Sequence, residues 1–279
     1  MPQTTATTAA SRPQPGVGEI LRSWRSRRRR SQLDLALDVG VSTRHLSFIE
    51  TGRARPSPAM LEALAGALQV PLRERNQLLL AAGYAPRYAA RTLDDAGMRQ
   101  VRGALDRLLR AHEPNPGLVV DRQWNVVMAN RTATALAGLL PPALLQPTFN
   151  VFRASLHPDG LAALTENFAD WAAYLLQVLR RSILTSGDAG LQQLEQEVLG
   201  YPNVAGLAPA PVADAVAEPA LLVPCVLKLP QGRLSMFTTL TTFGTPRDIT
   251  LEELSIELFY PADDASEALL RSLHASLPA

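Results

Sequence analysis

SQLDLALDVGVSTRHLSFIETG, residues 31–52, reads as two short helices joined by a tight turn. Ser31 is a good N-cap, Leu33, Leu35, Ala36 and Leu37 give the first helix its apolar positions, and Gly40 ends it. Ser42 caps the second helix, Leu46 and Ile49 supply its buried face, and Thr51-Gly52 stops it. Ala36 falls at the crossing, where a small side chain lets two helix axes approach. Thr43, Arg44, His45 and Ser47 are left pointing away from the apolar side. Such a pair is a helix-turn-helix, the arrangement that sets a second helix into the major groove of a duplex.

The helical pattern extends on both sides, over residues 17–83. Ile20, Leu21 and Trp24 share a face of a preceding helix that ends in the run Arg27, Arg28, Arg29, Arg30. Pro56-Ser57-Pro58 opens a fourth helix carrying Met60, Leu61, Leu64, Ala65 and Leu68; Pro71 starts a fifth, which stops at Gly83. The whole is an all-α, five-helix domain. Its motif resembles the lambda-repressor-like (XRE) family, whose pattern SQ-x-x-LA-x-x-x-GVS-x-x-x-[LI]-S-x-[IL]-E-x-G is matched almost throughout. The resemblance implies that Gln32 binds a phosphate, that Thr43 and Arg44 face bases with Ser47 and Phe48 further along the groove, and that Arg53 and Arg55 grip the backbone. It gives Glu50 a structural role.

From the residues alone, alternatives stay open. Arg44 suits the O6/N7 edge of guanine, the commonest specific contact, but an exposed helical arginine also binds phosphate. His45 is a base reader, a phosphate contact or a solvated residue. Phe48 either packs or touches a thymine methyl. The Arg27–Arg30 run is either a solvated face or a set of phosphate contacts, which govern affinity and salt dependence and not sequence choice.

Charge supports a polyanionic partner for the front of the chain. Residues 1–110 hold 18 arginines against 9 acids, a net of +9, and the remainder holds 9 basic residues against 17 acids, a net of −8. Of the 279 residues 47% are hydrophobic and 19% charged, so the chain is not wholly disordered. No apolar run reaches the ~18–20 residues of a membrane helix. Residues 1–16 read as a disordered tail without a secretory h-region. Cys225 is the single cysteine, which excludes an internal disulfide and a multi-cysteine zinc site. The expectation is a cytoplasmic protein without membrane contact. His45, His112, His157 and His274 are scattered, and no HExxH, GxSxG or phosphate-cradling glycine loop is present, so neither an enzyme nor a cofactor is expected.

Behind the helical domain, residues 84–113 read as a connector and linker helix, with Val101, Leu105, Leu108 and His112 at helical spacing. In residues 114–279 the period changes. Strands around 118–120 and 125–128 flank an Asp121-Arg122-Gln123-Trp124 turn, and a short helix follows Asn130. A long amphipathic helix is expected over 158–185, then strands over 221–229, 233–243 and 252–260 and a last short helix. This is an α+β, antiparallel-sheet layout.

The run from Val119 to Asn130 resembles the "VVD-x-x-W-x-V-x-x-AN" opening of PAS-type sensor domains. Together with His157-Pro158-Asp159-Gly160, Asn167 and Trp171 it resembles the MmyB-like transcription regulators. That resemblance implies a two-domain regulator binding an operator in double-stranded DNA, with a PAS-like C-terminal domain for fatty-acid-type ligands. Candidate ligand-binding residues are Trp124, Asn130, Phe168, Trp171, Leu175, Met236 and Phe237, each of which also reads as plain core or, for Asn130, as a helix cap. Arg180 and Arg181 anchor an acyl head group or are solvated, and Cys225 reads as a buried small hydrophobe. A single helix-turn-helix reads few base pairs, so a homodimer is expected, with helix 99–112 and the back domain as its available surfaces. The rival reading makes the back domain a ligand-independent dimerisation or protein-interaction module.

Overall fold

The computed structural model describes residues 15–207 and 222–278. Residues 1–14 of the expected tail, and Leu221 at the start of an expected strand, lie outside the described residues. Contacts divide the chain into two compact units, one up to Ala89 and one from Ala90. Among the described residues no helix is long and apolar enough to cross a membrane.

Among its described residues the first unit holds five helices: α1 (Val17–Arg27), α2 (Gln32–Asp38), α3 (Thr43–Glu50), α4 (Pro58–Ala67) and α5 (Leu72–Ala81). Three starts are set by serine. The hydroxyls of Ser31, Ser42 and Ser57 accept the N–H of Asp34, His45 and Met60 at 3.1, 3.1 and 3.2 Å. Gly40 turns α2 into α3 at φ 70°, a left-handed conformation costly for other residues. Each cap contributes about 1 kcal/mol, whereas burying a leucine contributes about 1.5–3 kcal/mol. Packing therefore dominates, through Leu21, Trp24, Leu35, Leu46, Ile49, Leu61, Leu64 and Leu78. The close approach expected at Ala36 has a tighter counterpart at Gly18, where a Cβ would stand 2.4 Å from the Ile49 carbonyl oxygen.

The segment after α5 is tied down. The Asn76 side chain accepts the N–H groups of Arg87 and Tyr88 at 2.9 and 3.0 Å and donates to the Tyr88 carbonyl at 2.7 Å. The Tyr88 hydroxyl donates to Glu62 at 2.8 Å. The expected connector is thus divided: 84–89 belongs to the first unit and the helix at 99–111 to the second.

Among its described residues the second unit is a five-stranded, all-antiparallel sheet with helices on both faces. Its strands are β1 (Gly117–Val120), β2 (Val126–Ala129), β3 (Cys225–Leu229), β4 (Gly232–Thr242) and β5 (Ser255–Pro261), in the order β2-β1-β5-β4-β3. Helix α6 (Arg99–Ala111) covers one face, burying Leu105 and Leu109 against Val119, Leu254 and Ile256. The apolar side of this helix is therefore occupied within its own unit. Strand alternation sends Leu118, Val120, Cys225, Leu227 and Met236 into the larger core on the opposite face. Between β2 and β3 lie α7 (Arg131–Ala137), α8 (Pro142–Leu145), α9 (Val151–Leu156), α10 (Phe168–Ser186), α11 (Ala189–Leu199) and α12 (Pro202–Ala205). Helix α13 (Ile249–Glu253) precedes β5 and α14 (Asp264–Ala275) follows it.

Three expected boundaries are corrected; the simplest is the strand expected over 221–229, which begins at Cys225, because Pro224 has no N–H to give a partner strand and its carbonyl is taken by Asn167. The long helix begins at Phe168 and not at residue 158, because the backbone before it pairs with the sheet. Glu166 N–H donates to the Val226 carbonyl at 2.7 Å, Thr165 bridges Leu227, and Leu161 to Leu164 form a separate 3-10 turn. Asn167 then pins the helix start to β3, donating to the Pro224 carbonyl at 2.7 Å and accepting the Val226 N–H at 3.1 Å. The last strand starts at Ser255 because Asp248 caps α13, accepting the Thr250 N–H at 2.9 Å, and so keeps Glu252 helical.

Candidate functional site

In the first unit α3 presents its outer side to solvent. Arg44 and His45 are exposed, and Thr43, Ser47 and Phe48 are half-buried. The Arg44 guanidinium lies 5.3 Å from the Phe48 ring centre, one turn along the helix, so Phe48 acts as a shelf for the cation. Arg53, just past the helix, is exposed and forms no ion pair among the described residues. Thr43, Arg44, His45, Ser47 and Arg53 thus share one accessible region at and after α3.

Two other expected contacts are engaged inside the unit. Arg55 donates to the Ala82 carbonyl at 2.9 Å and stacks on Tyr84, where it closes the end of α5. Gln32 donates to Glu50 at 2.8 Å. Only its remaining amide hydrogen is left to donate to a phosphate. Glu50 is the hub of this support. It is 7% exposed and accepts from Arg25 Nε at 2.6 Å and Nη2 at 2.9 Å. Burial alone would raise its pKa, but the hydrogen bonds from Arg25 and Gln32 outweigh that and hold it below the usual value.

Much of the Arg27–Arg30 run is likewise used internally. Arg28 donates to the Leu68 carbonyl at 3.0 Å, Arg30 pairs with Asp38 at 2.6 Å, and Arg27 lies 5.2 Å from the Trp24 ring centre. Only Arg29 of the four keeps an exposed head without such a contact among the described residues.

The second unit contains a small apolar cavity of about 80 Å³ between the sheet and its helices. Trp171 and Leu175 of α10 and Met236 of β4 line it, as expected from the sequence. The other four candidates do not. Trp124 closes its turn at φ 64° and packs edge-on to Phe152 at 5.1 Å, with its indole N–H donating to Ser182 at 3.3 Å. Asn130 is used completely: Oδ1 accepts the N–H groups of Gly117 and Ala133, and Nδ2 donates to the carbonyls of Asn115 and Leu109. Phe168 packs at the margin of the core outside the cavity wall. Phe237 follows Met236 and so lies on the other side of β4, stacked on its cross-strand partner Tyr260 at 5.4 Å. Arg180 pairs with Glu195 on α11 at 2.7 Å, and Arg181 is exposed; neither reaches the cavity.

The wall also includes residues the sequence reading passed over: Ala133, Leu136 and Leu140 near α7, Phe149 and Val151 before and in α9, and Phe259 and Glu257 on β5. Glu257 is the anomaly. It is 5% exposed, in a central strand, and its pKa is pushed up to about 7 by burial, with only the Thr238 hydroxyl opposing. A sequence signal existed, since Ser255-Ile256-Glu257-Leu258-Phe259-Tyr260 sets one carboxylate inside an apolar strand. Cys225 behaves as the buried hydrophobe expected. Burial, and secondarily the charge of Glu257, push its thiol up to about 12, far from a reactive thiolate.

Comparison with known proteins bears on both units. A family model described as "MmyB-like transcription regulator ligand binding domain" matches residues 101–273, and one described as "Helix-turn-helix" matches residues 21–75. The transcriptional regulator ClgR of Mycobacterium tuberculosis, in strains CDC 1551 / Oshkosh and ATCC 25618 / H37Rv, is 32% identical over 123 residues, which is 43% of this chain and 93% of that protein. Among solved structures, an RNA-binding light-oxygen-voltage receptor aligns at 13% identity with a TM-score of 0.27, over 93% of this chain and 62% of that one. So slight a likeness carries no argument.

Proposed function

Because the chain belongs to the MmyB-like transcription regulators, with a helix-turn-helix unit in front, we propose that it reads a specific operator through α3 and senses a small, mostly apolar effector in the cavity of its second unit. The observation that carries the sensing role is the cavity itself, an apolar space with one buried carboxyl in its wall. We place the protein in the cytoplasm, bound to double-stranded DNA as a homodimer on half-sites about 10–10.5 bp apart or a multiple of that. Thr43, Arg44, His45 and Ser47 face the groove, and Arg53 contacts phosphate. Arg53→Ala is expected to weaken binding to all sequences alike and to reduce the slope of log affinity against log salt by roughly 0.9, measured by anisotropy across a salt series.

An effector alters DNA affinity only if it favours one state of the protein over another, and typical couplings are about 1–3 kcal/mol, or roughly 5–150-fold. The route we propose crosses the sheet. Leu118 and Glu257 line the cavity, while their neighbours Val119 and Ile256 pack under α6. Movement of β1 and β5 on filling is therefore felt at the first helix of the unit.

At about 80 Å³ the cavity lies below the ~300–1,000 Å³ of typical ligand pockets. It takes a short group and not a full acyl chain, and this is the observation favouring a ligand-independent module instead. Leu175→Trp separates the two readings, since it fills the cavity from α10. Affinity for a selected DNA site would be compared between this variant and wild type, each as purified and after extraction with a hydrophobic resin. Sensing predicts that wild type shifts on extraction and the variant does not. Identical affinities in all four samples would leave only the ligand-independent module.

A further inference from the structure

The cavity wall is apolar except at a few points, and Glu257 is the one acidic side chain among the described residues that line it. Its Oε1 accepts the Thr238 hydroxyl at 3.1 Å, whereas Oε2 is buried with no hydrogen-bond partner among the described residues. No cation among the described residues pairs with it. The titratable groups that feel it are Cys225 on β3, in the same wall, and Tyr174 on α10, and burial and this carboxylate both raise their pKa values. A buried acceptor left unpaired costs about 1–3 kcal/mol, more when charged, and such groups are rare in folded proteins. Strand alternation places this carboxyl on the cavity side of β5, beside Phe259, and not on the α6 side with Ile256 and Leu258.

We infer that Glu257 is the polar anchor of the effector site, and that the effector is an apolar molecule with a hydrogen-bond-donating head, a hydroxyl or an amine, and not a free carboxylate. This rests on the cavity being an effector site. The donor would satisfy Oε2 while its hydrocarbon part meets Trp171, Leu175 and Met236. An amine gains further from an ionised Glu257, because opposite charges in a low-dielectric site attract strongly. A carboxylate in the same space would oppose a like charge, which is disfavoured at short range. The aliphatic wall alone would not discriminate among these head groups; the carboxyl does.

The test uses the full chain and a size-matched series of 1-butanol, n-butylamine, butyrate and n-pentane at pH 8. The chain has three tryptophans, and Trp171 lines the cavity, so its indole N–H resonance in a nitrogen-15 spectrum, assigned with Trp171→Phe, reports filling. Butanol and butylamine are expected to bind at least tenfold more tightly than butyrate. In Glu257→Gln, which keeps the shape, that preference is expected to disappear while pentane binding stays the same. Equal binding of butyrate and butylamine, or a preference that survives Glu257→Gln, overturns the assignment and leaves the cavity as a non-selective apolar site. If pentane binds and neither donor improves on it, a water suffices for Oε2 and the assignment falls. If none of the four moves the Trp171 resonance, the cavity takes no ligand, and the sensing role falls with it.

Discussion

Glu50→Ala is expected to destabilise the first unit by about 3–5 kcal/mol, a large part of the ~5–15 kcal/mol that holds a typical domain folded. The side chains of Glu50 and Arg25 are only 2% and 14% exposed, and the two form a two-pronged ion pair. Removing the carboxylate leaves a guanidinium shielded from water with no counter-charge, while Gln32 loses its acceptor. That is a far larger effect than the median of surface ion pairs, about 0–1 kcal/mol. The acid dependence has a definite sign. Because the folded pKa of Glu50 lies below its ordinary value of 4.5, the stabilisation is present above that pH and is lost as pH falls below it. Denaturant melts followed by helical circular dichroism, with wild type and Glu50→Ala at about pH 7, check the magnitude. A midpoint unchanged by the substitution would show that the pair contributes nothing net.

Glu257→Gln is expected to act in the opposite direction, as a stabilising change that grows with pH. The carboxyl titrates near 7 in the folded chain against an ordinary value of 4.5. The folded state thus holds its proton between those two values, where the unfolded state has released it. Wild-type stability from this group is complete below pH 4.5 and lost as pH rises through about 7. A difference of that size corresponds to about 3 kcal/mol. Subtracting the variant's stability from wild type's at each pH cancels the other titrations and should show that decline between about pH 4 and pH 8. Melts followed by tryptophan fluorescence report it, since Trp124 and Trp171 are both buried in the same core. A flat difference would mean that the carboxyl is solvated in the folded chain.

How legible the chain was depended on which kind of pattern each element carried. The first unit was readable to within a residue or two, because Ser31, Ser42, Ser57, Gly40 and Gly52 mark its ends by chemistry local to the backbone. The strands were found by the switch to period two, and their antiparallel sheet was found with them. What stayed hidden depended on contacts distant in sequence. Leu161 and Leu164 have helical spacing with the residues after Phe168, yet Thr165 and Glu166 pair with β3, some 60 residues on, and break the helix there. Helix α9 is too short to show a stripe and gains its order from the core, whereas α11 carries one, Leu191, Leu194 and Val198, that the sequence reading passed over.

At the sites the same distinction holds. Arg44 and Arg53 were readable because exposure followed from helix period and turn. Arg55 has the same sequence character but meets the carbonyls at the end of α5, which only the fold brings near. In the cavity, Trp171, Leu175 and Met236 were found by face, whereas Phe237 was misplaced because one strand residue separates two opposite sides of a sheet. Glu257 was missed because attention to apolar pattern passes over the single acid that interrupts it.

Whether the outer side of α3 reads bases can be measured directly, by selecting sites from a random duplex library with the full wild-type chain and with Arg44→Ala in parallel. Wild type should enrich a two-fold-related motif. Arg44→Ala should keep that motif but lose preference at one base pair in each half-site, a guanine by the geometry of the guanidinium, with about 1–3 kcal/mol less affinity for the wild-type site. Enrichment of the same motif at undiminished information content in both selections would contradict base reading by Arg44, and the absence of any motif from the wild-type selection would contradict sequence-specific binding by this chain.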